Sequence, residues 1–418
     1  MTKRNLWAAI TLMMALGMTA CNNDKDDQIV PDEPLPNENN ERTDIRLTRG
    51  EQELVSGSND FAFNLLREAG ADKSIILSPI SITYALGMLN NGAAGETQQQ
   101  ICNVLGFGET GADGINDFCR KMLTEAPQLD KLTKVLISNN IYMNQGYELK
   151  PDFVQKAKDY YDAQPETRFF GDGKTMDVIN QWASDHTEKM IEKVLDADSF
   201  DPAAVSYLLN AIYFKGAWAE KFDKANTRDE AFEGAARSVP MMHQEHQFSY
   251  RENELCQALR LPYGNGAYSM TVLLPREGKT VNDVLQGLTA EAWQQQYQYM
   301  GSALADVKLP RFESNTDVWL NDIMMQLGMP KAFTDRAEFP DFCNVATKIG
   351  MMKQVARIKL SEEGTEAAAV TVIGMELASA SEPIEPLRVN FHATRPFLYV
   401  ISEQSTGAIF FVGTYYGD

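Results

Sequence analysis

Residues Glu362–Val370 read EEGTEAAAV and are the most informative stretch of this 418-residue chain. Local propensity favours a helix start here, because threonine is a good helix cap and alanine and glutamate are strong helix formers. The alternative is a strand, in which Thr365 and every second residue as far as Ile373 share one face. Alanine is a poor strand former, but small side chains suit a segment that must slip between existing strands.

The residues just before this stretch predict a half-buried strand over Lys353–Leu360, because its side chains alternate in character. One face of that strand would carry Gln354, Ala356, Ile358 and Leu360, and the other would carry Lys353, Val355, Arg357 and Lys359. Gly364 follows as a backbone joint with few steric limits.

Further motifs lie outward from this stretch in a fixed order. They are Ser78–Ser81 (SPIS), Ala85–Leu86, Gly92–Thr97 (GAAGET), Leu209–Trp218 (LNAIYFKGAW), Leu261–Tyr263 (LPY), Leu273–Pro275 (LLP), Leu309–Phe312 (LPRF), Leu327–Met329 (LGM) and Arg395–Leu398 (RPFL). Together with EEGTEAAAV they resemble the serpin family, from about Gly50 to the end of the chain. In that family the stretch is the hinge of an exposed reactive-centre loop, so the resemblance favours the strand.

The resemblance implies an α+β fold with a large central, mostly antiparallel β-sheet, several helices and the exposed loop. Periodicity independently predicts early helices and late strands, which is typical of mixed α and β proteins. The predicted helices are Phe61–Glu68, Ile80–Asn90, Thr97–Leu105 and Met176–Leu195. The predicted strands are Thr133–Tyr142, Ala204–Phe214, Tyr268–Leu274, Val307–Phe312, Lys353–Leu360, Phe397–Ile401 and Ile409–Val412.

The resemblance also implies a function, which is suicide inhibition of serine proteases. The protease cleaves the loop, and the cleaved loop inserts into the central sheet. The hinge would comprise Glu362, Glu363, Gly364, Thr365, Glu366, Ala367, Ala368 and Ala369. In the family the cleaved residue usually lies fourteen places beyond the hinge glycine, which gives the bond Ala378–Ser379.

Other scissile residues remain open. Met375 and Leu377 are the nearest alternatives to Ala378. Counting back from Pro396 leads to Glu382 instead, where the following proline would obstruct cleavage. A small apolar residue suits a shallow specificity pocket, and no Arg or Lys lies between residues 365 and 386, so we expect elastase-like or subtilisin-like targets.

The resemblance assigns five residues to opening of the sheet. Ser78, Ser81, Asn210 and Gln354 would lie under the opening between central strands, and Trp218 at its upper entry. Asn210 normally pairs with a histidine there, and this chain has Gln354, so we expect a pairing that does not titrate. The alternative is that all five are ordinary, satisfied core residues.

Two other classes of function compete with inhibition. A non-inhibitory serpin, acting as a cell-surface binding module, would tolerate bulky or charged hinge residues, whereas Thr365 and Ala367–Ala369 are all permissive. An enzyme is disfavoured, because the chain has no Gly-x-Ser-x-Gly elbow and no convincing catalytic base.

Composition excludes several partners. A net charge of −20 argues against nucleic acid, which needs clustered Lys and Arg. A heparin-type activator is not expected, since Glu96–Leu123 has only Arg120 and Lys121 as basic residues. His243 and His246 are three residues apart, whereas a zinc helix needs four. We therefore expect a monomer without metal or cofactor.

The N-terminus reads as a targeting segment. Lys3 and Arg4 precede an apolar run, and small residues precede Cys21, as in bacterial lipoprotein signals. We expect a signal peptide over 1–20, a lipidated Cys21 with a flexible tether over 21–50, and a serpin domain over 51–418. The protein would sit at the outer membrane or cell surface, facing outward or into the periplasm. The alternative is an ordinary secretory signal and a secreted protein.

Four further cysteines, Cys102, Cys119, Cys256 and Cys343, fit no metal-binding spacing. Export would permit disulfides, so a Cys102–Cys119 bridge and buried free thiols are both open.

Overall fold

The computed structural model describes residues 40–365 and 386–418. Within this part of the chain the helices are α1 (Arg49–Ala69), α2 (Pro79–Asn90), α3 (Gly95–Val104), α4 (Gly111–Glu125), α5 (Pro151–Tyr161), α6 (Lys174–His186), α7 (Val281–Gln286), α8 (Ala290–Ala292) and α9 (Asn321–Leu327). Six of these nine helices come before residue 206, after which strands predominate, and the predicted α+β class is confirmed.

The strands, over the same described residues, form two sheets. They are β1 (Ile75–Leu77), β2 (Thr133–Asn144), β3 (Glu166–Arg168), β4 (Ser206–Ala217), β5 (Arg228–Glu230), β6 (Val239–Glu252), β7 (Cys256–Tyr263), β8 (Tyr268–Pro275), β9 (Gly301–Pro310), β10 (Phe312–Trp319), β11 (Lys353–Ser361), β12 (Gly364–Thr365), β13 (Arg388–His392), β14 (Phe397–Glu403) and β15 (Ile409–Tyr415).

The six-stranded sheet has the order β10-β11-β12-β4-β2-β3. All its pairs are antiparallel except that of β2 with β3. The alternation predicted for β11 is observed, since Gln354, Ala356, Ile358 and Leu360 are all buried. Successive side chains of a strand point to opposite faces, so these four share one face of β11, and that face packs on the core.

The nine-stranded sheet has the order β1-β15-β14-β8-β7-β6-β9-β13, with β5 paired to β6. Only β13 runs parallel to its neighbour. Side chains from both sheets and from α1 and α2 form one hydrophobic core, which includes Phe61, Tyr84, Leu360, Tyr399 and Phe411. Helix α2 begins at Pro79 and packs in this core. Its first turn lies close to the six-stranded sheet.

Two sequence predictions need correction here. The helix predicted over Met176–Leu195 ends at His186, because Glu188 and Lys189 have left-handed backbones that cannot continue it. The strand predicted over Val307–Phe312 breaks at Arg311 into β9 and β10, which belong to different sheets. A short apolar run gives no sign that the chain changes sheet at its middle.

The folded body also begins before the predicted boundary at residue 51. Ile45 is 3% exposed, and its N–H donates to Ser405 Oγ at 2.9 Å. Helix α1 starts at Arg49 behind a capping box between Thr48 and Glu51. Residues 40–50 therefore belong to the body rather than to the tether. The predicted signal peptide, Cys21 and the remaining tether to residue 39 lie outside the described residues.

Candidate functional site

A gap separates β11 from β4 in the middle of the six-stranded sheet. At its upper end, where β4 ends at Ala217 and β11 at Ser361, the two residues of β12 join the strands. Below Thr365 no pairing links β11 to β4 in the described chain. A cavity of about 870 Å³ lies there, lined by residues of both strands such as Leu208, Ile212, Ala356 and Ile358. Among residues 40–365 and 386–418, only Gly364 and Thr365, at the top, occupy the strand position between β11 and β4.

The register of β12 is defined on both sides. Gly364 pairs with Ala217 and Ser361, and Thr365 pairs with Gly216 and Leu360. Both pairings are antiparallel, as in the rest of the sheet's centre. A chain that continued beyond Thr365 in the same direction would run down the gap with its register already set.

A glycine is required at position 364, because the backbone there passes very close to Gly216 of β4. Its φ is +141°, a conformation that side chains with a Cβ rarely adopt. A Cβ at this position would also lie 2.1 Å from the carbonyl oxygen of Gly216. Any larger residue would push the hinge away from β4.

Trp218 and Tyr263 hold the hinge at the upper end. The Trp218 indole Nε1–H donates to the Ser361 carbonyl at 2.9 Å, and its backbone N–H donates to the Glu363 carbonyl at 2.9 Å. The Trp218 ring stacks on Tyr263 with centroids 4.5 Å apart. The Tyr263 hydroxyl and the Thr365 hydroxyl lie 2.5 Å apart and share a hydrogen bond.

The two acids of the EEGTEAAAV stretch anchor the turn before the hinge. Glu362 is 2% exposed and accepts a hydrogen bond from Thr227 Oγ1 at 2.8 Å. Glu363 forms ion pairs with Lys221 and Lys224, each at 3.0 Å. Hydrogen bonds from these two ammonium groups lower the pKa of the Glu363 carboxyl. Both carboxylates therefore contribute to keeping the hinge against the sheet.

On the β11 side of the gap, Gln354 and Ser78 are bonded to each other. The Gln354 amide donates to the Ser78 carbonyl at 2.9 Å and accepts from the Ser78 N–H at 3.1 Å. The Ser78 hydroxyl donates to the Phe410 carbonyl at 3.0 Å. These bonds tie β11 to the start of α2 and to β15.

On the β4 side, Asn210 bonds to different partners. Its side-chain oxygen accepts from the Ser81 hydroxyl, and its amide donates to Asn139 Oδ1 at 2.9 Å. The expected pairing of Asn210 with Gln354 is therefore wrong for this state of the sheet. The gap lies between them, and each bonds to a serine near the start of α2 instead.

Several contacts of the hinge could not be found from the sequence. Tyr263 belongs to an LPY motif that carried no functional expectation, yet its hydroxyl reaches the hinge. Lys221, Lys224 and Thr227 follow Trp218 in a polar loop that carries no recognisable pattern. Only the three-dimensional proximity of this loop to residues 362–363 gives them a role.

The remaining expected hinge residues, Glu366 and Ala367–Ala369, lie outside the described residues. So do the proposed scissile pair Ala378–Ser379 and the alternatives Met375 and Leu377.

In the part of the chain that the structure describes, no cluster of three or more His, Cys, Asp or Glu could hold a metal ion. His243 lies within β6 and bonds to Asp306 at 2.6 Å. Cys102, Cys119, Cys256 and Cys343 are all free and buried, so no Cys102–Cys119 bridge is present. Among the helices of residues 40–365 and 386–418, none is long and apolar enough to cross a membrane.

Known proteins resemble this chain over most of its length. A family profile described as serpin (serine protease inhibitor) matches residues 56–417. An uncharacterised serpin-like protein of Thermococcus kodakarensis is 31% identical over 380 residues, covering 88% of this chain and 87% of its own. Neuroserpin of Homo sapiens is 28% identical, covering 87% of this chain and 90% of its own.

Solved structures agree. The native state of the thermophilic serpin tengpin is 27% identical with a TM-score of 0.78, covering 90% of this chain and 96% of its own. Human thyroxine-binding globulin complexed with its hormone is 25% identical with a TM-score of 0.78, covering 87% of this chain and 98% of its own. With the profile match, the gapped sheet and the hinge at its upper end, the chain belongs to the serpin family.

Proposed function

We propose that this protein is a suicide inhibitor of serine proteases, acting by cleavage and insertion of its reactive loop. One observation carries the proposal. The hinge residues Gly364 and Thr365 already occupy the top of a strand position that no other described residue fills, in a register that the rest of the loop can follow.

The pattern of side chains supports the same register. Continuing β12 by one residue at a time brings Ala367 opposite Ile358 and Ala369 opposite Ala356, both of which are buried on β11. The loop residues that would point into the core are therefore small, as is Thr365 above them. Bulky or charged residues at these positions would have to displace the packed face of the sheet.

On insertion, the polar loop residue Thr371 would also lie at the polar part of the gap. Six residues beyond Thr365, the same register brings Thr371 opposite Asn210 on β4 and Gln354 on β11. Its hydroxyl can both donate and accept hydrogen bonds. Thr371 would thus bridge the two side chains that the open gap keeps apart.

Inhibition would proceed in two steps. The protease serine attacks the Ala378 carbonyl, the peptide bond to Ser379 breaks, and the new amino terminus leaves while Ala378 stays esterified to the protease. Thr365 is already paired, so insertion of the thirteen residues from Glu366 to Ala378 would then carry the ester about 43 Å, at roughly 3.3 Å per strand residue. Dragging the protease against the body of the inhibitor would distort its active site before water can hydrolyse the ester.

The target class follows from the loop. Ala378, or Leu377 or Met375 in its place, suits proteases with shallow or apolar specificity pockets, which are elastase-like or subtilisin-like. Trypsin-like proteases need a basic residue, and residues 365–386 contain none.

The competing function is that of a non-inhibitory serpin serving as a surface binding module. Thyroxine-binding globulin, solved in complex with thyroxine, is a non-inhibitory relative. The small hinge side chains and the partly occupied strand position favour inhibition here.

The test is to mix the purified protein with an elastase-like and with a subtilisin-like protease. We expect a protease–inhibitor complex that survives boiling in detergent, and a released peptide whose first residue is Ser379. The same protease with its catalytic serine inactivated is the control and should give no such complex. Cleaved protein together with full residual protease activity would remove the inhibitor proposal.

We further propose that Cys21 is lipidated and holds the protein at the outer membrane or cell surface. The support is the sequence pattern before Cys21, since two or three acyl chains anchor a protein stably. Cells producing the protein with an alkyne-tagged fatty acid should label it, and Cys21→Ser should abolish the label. Equal labelling of both forms would contradict the assignment.

A further inference from the structure

Helix α6 and the segment that follows it cover the outer side of the empty gap. Thr187, Ile191, Val194 and Leu195 of this segment line the cavity together with β4 and β11. A strand entering between β4 and β11 would take up the space that these side chains face. We call α6 and residues 187–199 the lid.

Glu188 attaches the lid to the sheet. Its carboxylate accepts a hydrogen bond from the Tyr213 hydroxyl on β4 at 3.0 Å and forms an ion pair with Lys134 on β2. The hydrogen bonds from Lys134 and Tyr213 lower the pKa of the Glu188 carboxyl, so it is ionised at neutral pH. One side chain of the lid thus spans two neighbouring strands beside the gap.

The backbone at this attachment is strained. Glu188 has a φ of +48° and Lys189 a φ of +67°, although neither is glycine. Side chains with a Cβ disfavour this left-handed region, so the surrounding contacts must hold it in place. The Lys189 N–H is bonded to the Ser184 carbonyl at 2.8 Å, and the Glu188 side chain is bonded to the sheet.

The rest of the lid is tied to α6 itself. Asn180 accepts hydrogen bonds from the N–H groups of Val194 and Leu195, both at 2.9 Å, and donates to the Leu195 carbonyl at 2.8 Å. Segment and helix are therefore joined into one piece. Ile179 and Leu195 of the lid also pack in a buried cluster with Tyr142 of β2 and Tyr207 of β4. Loss of the Glu188 bonds would let the strained turn relax and would lower the cost of tilting this piece away from the gap.

We propose that Glu188 is a positioning residue that controls how fast a strand can enter the gap, by latching the lid to Lys134 and Tyr213. This inference rests on the proposed function, because it concerns the insertion step of that mechanism. Releasing the latch should speed insertion, and relaxing the strain while the latch is kept should slow it.

The test measures insertion without any protease. The full-length protein is incubated with a synthetic peptide of residues 366–378, and the rate of peptide uptake is followed by gel mobility and by the rise in melting temperature. Glu188→Ala should take up the peptide about fivefold faster than the wild type, and Glu188→Gln, which keeps an acceptor for Tyr213, about twofold faster. Lys189→Asn should be about twofold slower, because asparagine tolerates the left-handed backbone.

Glu192→Ala is the matched control. It removes another exposed acid of the same segment, for which the described residues show no bond to either strand, and its uptake rate should equal that of the wild type. The melting temperatures without peptide show that every variant is folded. All of these substitutions are at exposed residues, so the variants are expected to fold.

The outcomes distinguish a failure of the Glu188 latch from a failure of the proposed inhibitory function. Uptake by the wild type with unchanged rates in both Glu188 variants would overturn the latch and leave the proposed function intact. Equal acceleration by Glu188→Ala and Glu192→Ala would also overturn it, because lid charge alone would then be responsible. No uptake by the wild type under any condition would remove the proposed function, and the latch with it.

Discussion

The two ends of the gap between β4 and β11 differ in what fills them. At the upper end Gly364 and Thr365 pair with both strands, and Trp218 and Tyr263 hold them there. Further down, where the cavity of about 870 Å³ lies, the same two strands have no partner between them in the part of the chain that the structure describes. The sheet therefore contains one strand position in two states, and its filled end sets the register for its empty end.

The lower part of the gap is where the sheet can still gain hydrogen bonds and buried apolar surface. Below Thr365 no described residue pairs with the facing edges of β11 and β4, and apolar side chains line the space between them. A strand in this position would gain hydrogen bonds and bury apolar surface on both sides. At the filled end, Gly364 and Thr365 pair with both strands while β11 and β4 keep their ladders with β10 and β2.

A charge in the filled end should have the largest effect. Thr365 is 2% exposed, and its hydroxyl meets Tyr263, so Thr365→Arg would bury an unpaired guanidinium. We expect the number of inhibitor molecules needed per inactivated protease to rise more than about tenfold. Titration of a subtilisin-like protease measures this number, with Thr365→Ser as the control that keeps the hydroxyl. An unchanged number for the arginine variant would mean that Thr365 does not insert.

A methyl group in the hinge should have the next largest effect. Gly364→Ala would place a Cβ 2.1 Å from the Gly216 carbonyl oxygen at a φ of +141°. We expect the hinge pairing to weaken by about 2 kcal/mol, roughly a thirtyfold loss of protection for the Trp218 amide in hydrogen exchange. Gly350→Ala is the control, since nothing lies within 4 Å of its added Cβ. Equal protection in wild type and Gly364→Ala would contradict the pairing.

Loss of one hydroxyl should have a smaller effect. Tyr263→Phe removes the hydrogen bond to Thr365 but keeps the stacked ring, and should cost the hinge pairing about 1 kcal/mol. Tyr268→Phe makes the same chemical change at a buried hydroxyl that donates to the Ala126 carbonyl. Hydrogen exchange of the Trp218 amide should increase in the first variant only. An equal increase in both would point to general loosening rather than to the hinge.

Acid should have the smallest effect. The pKa of Glu363 is lowered from 4.5 by Lys221 and Lys224, so its contribution is complete above pH 4.5 and disappears as the pH falls through the lowered value. Protection of the Trp218 amide, corrected for intrinsic exchange, should be constant from about pH 5 to 8 and fall below about 4.5. Glu363→Gln should remove this fall. A loss of protection already near pH 6 would implicate other groups.

The sequence predicted strong periodic elements and well-spaced motifs better than it predicted contacts. Strand β11 was found from its alternation, because a half-buried strand must alternate. The EEGTEAAAV stretch was a helix by propensity and a hinge by resemblance, and the structure has Gly364 and Thr365 in a strand. Tertiary pairing on two sides overrides the local preference there.

What the sequence could not give depends on distant neighbours. Gln354 and Asn210 were expected to pair. Each bonds instead to a serine at the start of α2, because the width of the gap is a property of the whole sheet. The helix predicted to reach Leu195 stops at His186, since Glu188 is held by two strands that lie far away in sequence. Lys221 and Lys224 gained a role only through the fold.

The most direct measurement is the melting temperature before and after a single cut near Ala378. We expect that nicking the loop with a catalytic amount of a subtilisin-like protease raises the melting temperature by more than about 10 °C, because the cleaved loop would fill the lower part of the gap. Thr365→Arg, cut at the same bond, should show a much smaller rise. An unchanged melting temperature in the nicked wild type would contradict the account, since the gap would then hold no strand.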